Sequence, residues 1–262
     1  MLRKRIIFTL IYDQNHFMLS RNFRLQKVGN LKWLEKNYKF QEIAFSLDEL
    51  IVLNASRDKK SIEEFSLMIN GLVKNVFIPI AAGGGIKSVK DAELLFKNGA
   101  DKIVVNSLLI ENPTIIKDLV NKYGSQSVVA SIDYKKTSNN IEIYINNGNL
   151  KIDLSLEEYI NYISELNVGE IYLNSIDKDG TGFGYDLETI KQIQSKITIP
   201  LIIAGGAGNE IHLIEGIKQK GVSAVATANL YNFMGDGLSN ARNKIIKNGD
   251  NIANWNVHKR DI

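Results

Sequence analysis

The chain repeats itself. "IPIAAGGGIKS" from Ile78 has a counterpart in "IPLIIAGGAGN" from Ile199, and Gly83 precedes Gly99 by the interval that separates Gly205 from Gly221. "ELIVLNASRD" from Glu49 echoes "EIYLNSIDKD" from Glu170, and "GADKIVVNS" echoes "GVSAVATAN". The segment Arg5 to Tyr12 lies over Ser127 to Tyr134, so Ile11 stands where the second copy has Asp133. The pairs sit about 122 residues apart, so the chain consists of two similar halves.

Within each half, short apolar runs alternate with helical patterns. The runs are Ile6 to Leu10, Leu50 to Leu53, Phe77 to Ala82, Ile103 to Val105, Val128 to Ile132, Ile171 to Leu173, Leu201 to Ala204 and Ala224 to Ala228. Between them, "SVKDAELLFKNG", "NPTIIKDLVNKYG", "SLEEYINYISEL" and "DLETIKQIQSKI" place apolar residues at three- and four-residue steps behind Ser, Asn or Asp caps. Continuous rather than alternating apolar strands are what a parallel sheet covered on both faces requires. Eight such units predict an α/β fold, a single (β/α)8 TIM barrel with a two-fold half-barrel repeat, spanning residues 1–262 as one domain. "NIEIYINNGNLKIDL", two alternating runs around Asn-Asn-Gly, predicts a hairpin inserted after the fifth strand.

Composition narrows the function classes. The chain has 262 residues, 44% apolar and 23% charged, with a net charge of +3 and no runs of like charge, so nothing supports a nucleic-acid partner. The absence of cysteine excludes disulfides, thiol catalysis and thiolate metal sites; no metal and no cofactor is expected. "MLRKRIIFTLIY" is basic then apolar, but Asp13 follows at once without a small-residue cleavage site, so it reads as a first strand rather than a signal peptide. No apolar run approaches the roughly 20 residues of a membrane span, and a cytoplasmic protein is expected.

In a barrel of this kind the chemistry sits at the C-terminal ends of the strands. Gly83-Gly84-Gly85 follows the third strand and Gly205-Gly206-Ala207-Gly208 the seventh. Glycines there let the backbone approach a ligand, and the free N–H groups of a following helix favour an anion. The fourth strand ends in Asn106-Ser107 and the eighth in Ala228-Asn229, each beside one of those loops. Two phosphate sites on opposite sides of one mouth are therefore expected, around Gly85, Asn106 and Ser107, and around Gly206, Ala207, Ala228 and Asn229. A phosphorylated ligand with a phosphate at each end would span them. Between them stands Asp133, a carboxylate ending an apolar strand, where a raised pKa and acid–base chemistry are expected. In "IDKDGTGFGYD", Asp179-Gly180-Thr181 could close over a phosphate through backbone N–H groups, while Asp177 reads equally as a turn former. Arg5, Glu49, Lys102 and Glu170 open strands one, two, four and six, so two cations and two anions ring the barrel floor. On residues alone that ring reads as salt bridges capping the apolar interior.

These motifs together resemble one family. From Met1 to about Phe233 the chain is similar to the cyclase subunit of imidazole glycerol phosphate synthase, through "MLRKRII", "FIPIAAGGGIKSVKDAELLFKNGADKIVVNS", "ENP", "YGSQSVVASID", "SIDKDGTGFGYDLE" and "IPLIIAGGAGN". The resemblance implies a mouth for a substrate with two phosphates and ammonia arriving through the barrel from a glutaminase subunit docked on the floor. It makes Arg5, Glu49, Lys102 and Glu170 an ammonia gate and puts Asp101 at the docking surface.

The chain also departs from that family. The family's two acid–base carboxylates fall at Asp133 and at Ile11. Leu19 and Ser20 stand where its flexible first loop carries a lysine and a glycine, and Asn174 and Ala204 where hydroxyl residues are usual. Asp13, about 6.5 Å further along an extended strand, is too far to replace a positioned catalytic group. A second branch, in bacterial glycan gene sets, also resembles the chain through "NFRLQKVGN" and "VLNASRD". There the barrel works with a glutaminase-like subunit and an N-acetyl-sugar amidotransferase, and the implied role is supplying ammonia for acetamidino formation. An ordinary cyclase and a noncatalytic scaffold that activates its glutaminase remain open beside it.

Overall fold

The computed structural model describes residues 3–38, 43, 45–57, 61–138 and 140–254. Met1 and Leu2 of the first quoted motif, Asp58 of "VLNASRD" and the 255–262 end of the expected domain lie outside the described residues.

Twelve strands are described: β1 (Arg5–Asp13), β2 (His16–Arg21), β3 (Arg24–Gly29), β4 (Glu49–Asn54), β5 (Ile80–Gly83), β6 (Lys102–Val105), β7 (Val128–Lys136), β8 (Ile141–Ile145), β9 (Leu150–Ile152), β10 (Glu170–Ser175), β11 (Leu201–Ala204) and β12 (Val222–Thr227). Eight of them close a parallel barrel in the order β1, β4, β5, β6, β7, β10, β11, β12 and back to β1. The (β/α)8 architecture expected from the repeat is therefore the one observed. Several strand boundaries differ from the apolar runs, and β1 and β7 continue to Asp13 and Lys136. Phe77 and Ile78 precede β5, with Phe77 76% exposed, and β12 begins at Val222 and ends before Ala228.

The helices form where capping chemistry meets apolar periodicity. Ser88 accepts from the amide of Asp91 ahead of Val89–Lys97, and Ser155 with Glu158 makes a reciprocal capping box ahead of Leu156–Glu165. Pro113 opens Pro113–Tyr123, where a missing N–H costs nothing.

Side chains alternate across each barrel strand. Ile6, Phe8 and Leu10 point outward into the layer between sheet and helices. Ile7, Ile51, Ala81, Val104, Val129 and Ile202 pack with Tyr172 inside the barrel. The bore is a second core, distinct from the outer one.

The hairpin after the fifth barrel strand is present as β8 and β9, turning at Asn146, Asn147 and Gly148 with φ of 54°, 55° and 76°. A second hairpin was not expected. After β1 the chain forms β2 and β3, paired antiparallel with each other and with β1. The segment carrying Leu19 and Ser20, expected as a loop, is strand β2.

Candidate functional site

The C-terminal ends of the barrel strands open into one cavity of about 1480 Å³. Ten of the mouth residues singled out in the sequence line it, while Gly83, Thr181 and Gly208 do not. Gly85, Asn106 and Ser107 lie on one side and Gly206, Ala207, Ala228 and Asn229 on the other, with Asp133, Asp179 and Gly180 between. The glycine loops are shaped by close approach. Gly206 has φ +106°, and a Cβ there would sit 2.1 Å from the carbonyl oxygen of Gly184, whose amide donates to the Gly206 carbonyl at 2.8 Å. On the other side, the inserted hairpin reaches the Ser107 loop through the amide of Asn146, 3.1 Å from Ser107 Oγ. Asn229 Oδ1 accepts from the amide of Asn232 at 3.0 Å, fixing the loop after β12.

Asp133 is 8% exposed and lies within β7, whose buried part runs on to Tyr134 and which continues to Lys136, so it does not end its strand as expected. Its carboxylate accepts from Asn174 Nδ2 at 3.1 Å and Asn106 Nδ2 at 3.3 Å. Burial pushes its pKa up to about 7; the Asn174 bond opposes the rise and the charge of Asp179 adds to it. A carboxyl group poised there can donate or accept a proton near neutrality. The partner position is apolar. Ile11 pairs with Leu53 on β4, and both line the cavity. Asp13 is not among the lining residues.

Asp179 and Gly180 are engaged with the first hairpin. The Asp179 carboxylate accepts from Ser20 Oγ and, at 3.0 Å, from the amide of Phe23, while its carbonyl accepts from the amide of Asn22 at 3.0 Å. A Cβ at Gly180 would lie 2.0 Å from the carbonyl oxygen of Ser20. The loop after β10 thus clamps the tip of the β2–β3 hairpin at the edge of the mouth. Asp177 accepts from the amide of Lys136 at 2.6 Å.

The cavity floor is a hydroxyl pair that spans the bore. Thr9 Oγ1 lies 3.2 Å from the Tyr172 hydroxyl, on strands separated by β11 and β12 in the barrel order. Beneath it come Ile7, Ile51, Val129, Ile202 and Ala224, and then the charged ring. Arg5 Nη1 contacts Glu49 at 2.7 Å and Glu170 at 3.0 Å, and Lys102 Nζ contacts the same two at 3.0 and 3.2 Å. Signs alternate around a closed four-membered ring. Glu49, 2% exposed, has its pKa raised by burial against the opposing pull of Lys102 and Arg5. Asp101, next to the ring at the start of β6, accepts from the amide of Ile80 at 2.8 Å.

The histidine biosynthesis protein family model matches residues 29–234, which carry both glycine loops and Asp133. The chain belongs to that family. A protein of Parasynechococcus marenigrum, provisionally named imidazole glycerol phosphate synthase subunit hisF2, is 43% identical over 97% of this chain and 95% of its own length. Imidazole glycerol phosphate synthase subunits HisF of Lachnoclostridium phytofermentans and Chlorobium limicola are 42% and 36% identical, over 71% and 89% of this chain and 73% and 92% of their own. The chain is thus HisF-like along most of its length. Among the described residues no helix is long and apolar enough to cross a membrane.

Sequence reasoning did not find the Ser20–Asp179 clamp or the Thr9–Tyr172 bridge. The second had a signal: Thr9 and Tyr172 are polar residues at inward-facing positions of otherwise apolar strands.

Proposed function

We propose that this HisF-like barrel is the acceptor-side subunit of a cytoplasmic glutamine amidotransferase pair. It takes ammonia from a glutaminase docked on the floor around Asp101, through the gate of Arg5, Glu49, Lys102 and Glu170. The mouth holds a phosphorylated ligand between the Gly85 and Gly206 loops. The ammonia serves amidation of a bacterial glycan sugar to its acetamidino form, with an N-acetyl-sugar amidotransferase carrying out the step on the sugar. One observation supports this reading over a cyclase: Asp133 keeps its buried, amide-supported setting, while the position facing it holds the apolar pair Ile11 and Leu53. A ring-closing reaction that needs two positioned proton carriers has one.

The second reading is the cyclase of histidine biosynthesis. It draws on the names of the 42% and 36% identical relatives and on the pKa of Asp133, which suits acid–base work near pH 7.

The experiment that tests the floor and gate of this reading mixes the purified chain with the glutaminase encoded beside its gene. Complex formation and faster glutamine hydrolysis are expected, and Lys102→Ala should uncouple hydrolysis from use of the ammonia. A barrel that stays alone in that mixture, with glutamine turnover unchanged, sinks the reading.

A further inference from the structure

The tip of the first hairpin carries charges that no acidic side chain neutralises among the described residues. Arg21 and Arg24 are cross-strand partners flanking the two-residue turn Asn22-Phe23. Like charges directly opposite one another on paired strands are destabilising. A third guanidinium joins them, since Arg57, from the loop after β4, donates to the carbonyl of Phe23 at 2.6 Å. All three line the mouth cavity. None of them has an ion-pair partner among the described residues. The nearby carboxylates are committed elsewhere, Asp179 to Ser20 and Phe23 and Asp177 to the amide of Lys136.

The turn that presents these charges is built at a cost. Asn22 and Phe23 both have left-handed φ, 50° and 62°. A two-residue hairpin favours this geometry, with glycine usual at the second position and an aromatic residue rare. Here the conformation is held from outside. Asp179 takes both turn amides, and Asn22 Nδ2 donates to the carbonyls of Ile176 and Asp177 at 3.1 and 3.0 Å. The hairpin tip is therefore fixed in position, with Arg21, Arg24 and the neighbouring Arg57 at the cavity edge.

We propose that Arg21, Arg24 and Arg57 form a further anion subsite, which binds an oxyanion on the outward-facing end of the mouth's ligand. The group is a phosphate ester or a sugar carboxylate, either of which a guanidinium fork can grip through two parallel hydrogen bonds. The subsite goes beyond the function proposed above, because it needs neither the floor nor Asp133. It lies at the hairpin tip and the loop after β4, apart from the Gly85 and Gly206 loops, so it adds an anion to those that the glycine loops would hold.

Side-chain Nε–H resonances of the three arginines, followed by NMR in the intact chain, report on the subsite separately from the glycine loops. Two probes are titrated, inorganic pyrophosphate and glucuronate. Saturable shifts of the Arg21, Arg24 and Arg57 signals are expected with at least one probe, weakened about tenfold or more in Arg24→Gln and further in Arg21→Gln/Arg24→Gln. The probe that binds more tightly assigns the oxyanion as phosphate or carboxylate. Retained hydrogen-exchange protection of the Phe23 amide, which donates to Asp179, reports that the hairpin is still folded in both variants. Arginine signals that do not respond while amides at Gly85 or Gly206 saturate would overturn the proposal, as would equal affinities in wild type and variants.

Discussion

Asn174 and Asp133 are register partners on adjacent barrel strands, and the amide of the first donates to the carboxylate of the second at 3.1 Å. The bond holds a buried carboxyl group in one orientation over the bore, and burial outweighs it in setting the pKa near 7. A testable dependence on pH follows from that balance.

An unfolded aspartate releases its proton near pH 3.9, whereas native Asp133 keeps it up to about 7. Between those values the native state binds more protons than the unfolded one. Stability therefore falls as pH rises through that window and is flat above it, as far as this group is concerned. At roughly 1.4 kcal/mol per pH unit the full loss is of order 4 kcal/mol. Asp133→Asn should remove the dependence and be the more stable protein at pH 8, with little difference at pH 4. Denaturant unfolding of both proteins across that range checks it, and parallel curves would contradict the buried, protonated carboxyl.

Lys102→Ala leaves Glu49, 2% exposed, with Arg5 as its remaining cation. Removing one partner of a buried pair costs about 3–5 kcal/mol. Solvent reaches Lys102, which is 17% exposed, so a loss of about 3 kcal/mol is expected. Lys102→Met with Glu49→Gln should recover part of it, because no buried charge is then left uncompensated. Urea midpoints of the three proteins give the answer.

Ser20→Gly removes the hydroxyl that Asp179 grips and leaves the amide of Phe23 in place. A hydrogen bond to a charged group contributes about 1.5–3 kcal/mol, so the hairpin should open tenfold or more often. Hydrogen exchange at Phe23 should accelerate accordingly while core strands such as β5 keep their protection. Unchanged exchange at Phe23 would show that the other turn contacts hold the tip unaided.

Given ammonia and the bisphosphate substrate of the histidine pathway, the chain should form imidazole glycerol phosphate at least 10²-fold more slowly than a two-carboxylate cyclase, the lower bound for losing one acid–base group. Ile11→Asp alone should not restore the rate. Ile11 is packed for an apolar neighbour, Leu53, and a misplacement of about 1 Å can itself cost 10²-fold. Near-normal turnover by the unaltered chain would favour the cyclase reading.

The barrel was legible in the sequence because both its evidence and its cause are local. "IPIAAGGGIKS" recurs in the second half as "IPLIIAGGAGN", and each run forms a strand with two buried faces. Asp133 stood out because a carboxylate ending an apolar strand breaks the pattern around it. The first hairpin did not, since Asn22-Phe23 lacks the glycine that marks a two-residue turn, and what stabilises it comes from Asp179, 159 residues beyond Ser20. The same holds for Thr9 and Tyr172, whose contact exists only once the barrel closes. Nothing in the sequence joins Arg57 to Arg21 and Arg24, and only the fold sets them around one turn.

The two half-barrels bring equivalent glycine loops to opposite sides of the mouth, so the scaffold alone does not distinguish head from tail in a ligand anchored at both. Asp133 faces Ile11 across that pseudo-dyad, a protonatable edge against an apolar one, and the arginine-bearing hairpin has its counterpart in a different hairpin, β8–β9, with asparagines at the turn. Duplication supplied the symmetry and these positions remove it. The mouth therefore has a direction of its own, with a protonatable side at β7 and an apolar side at β1.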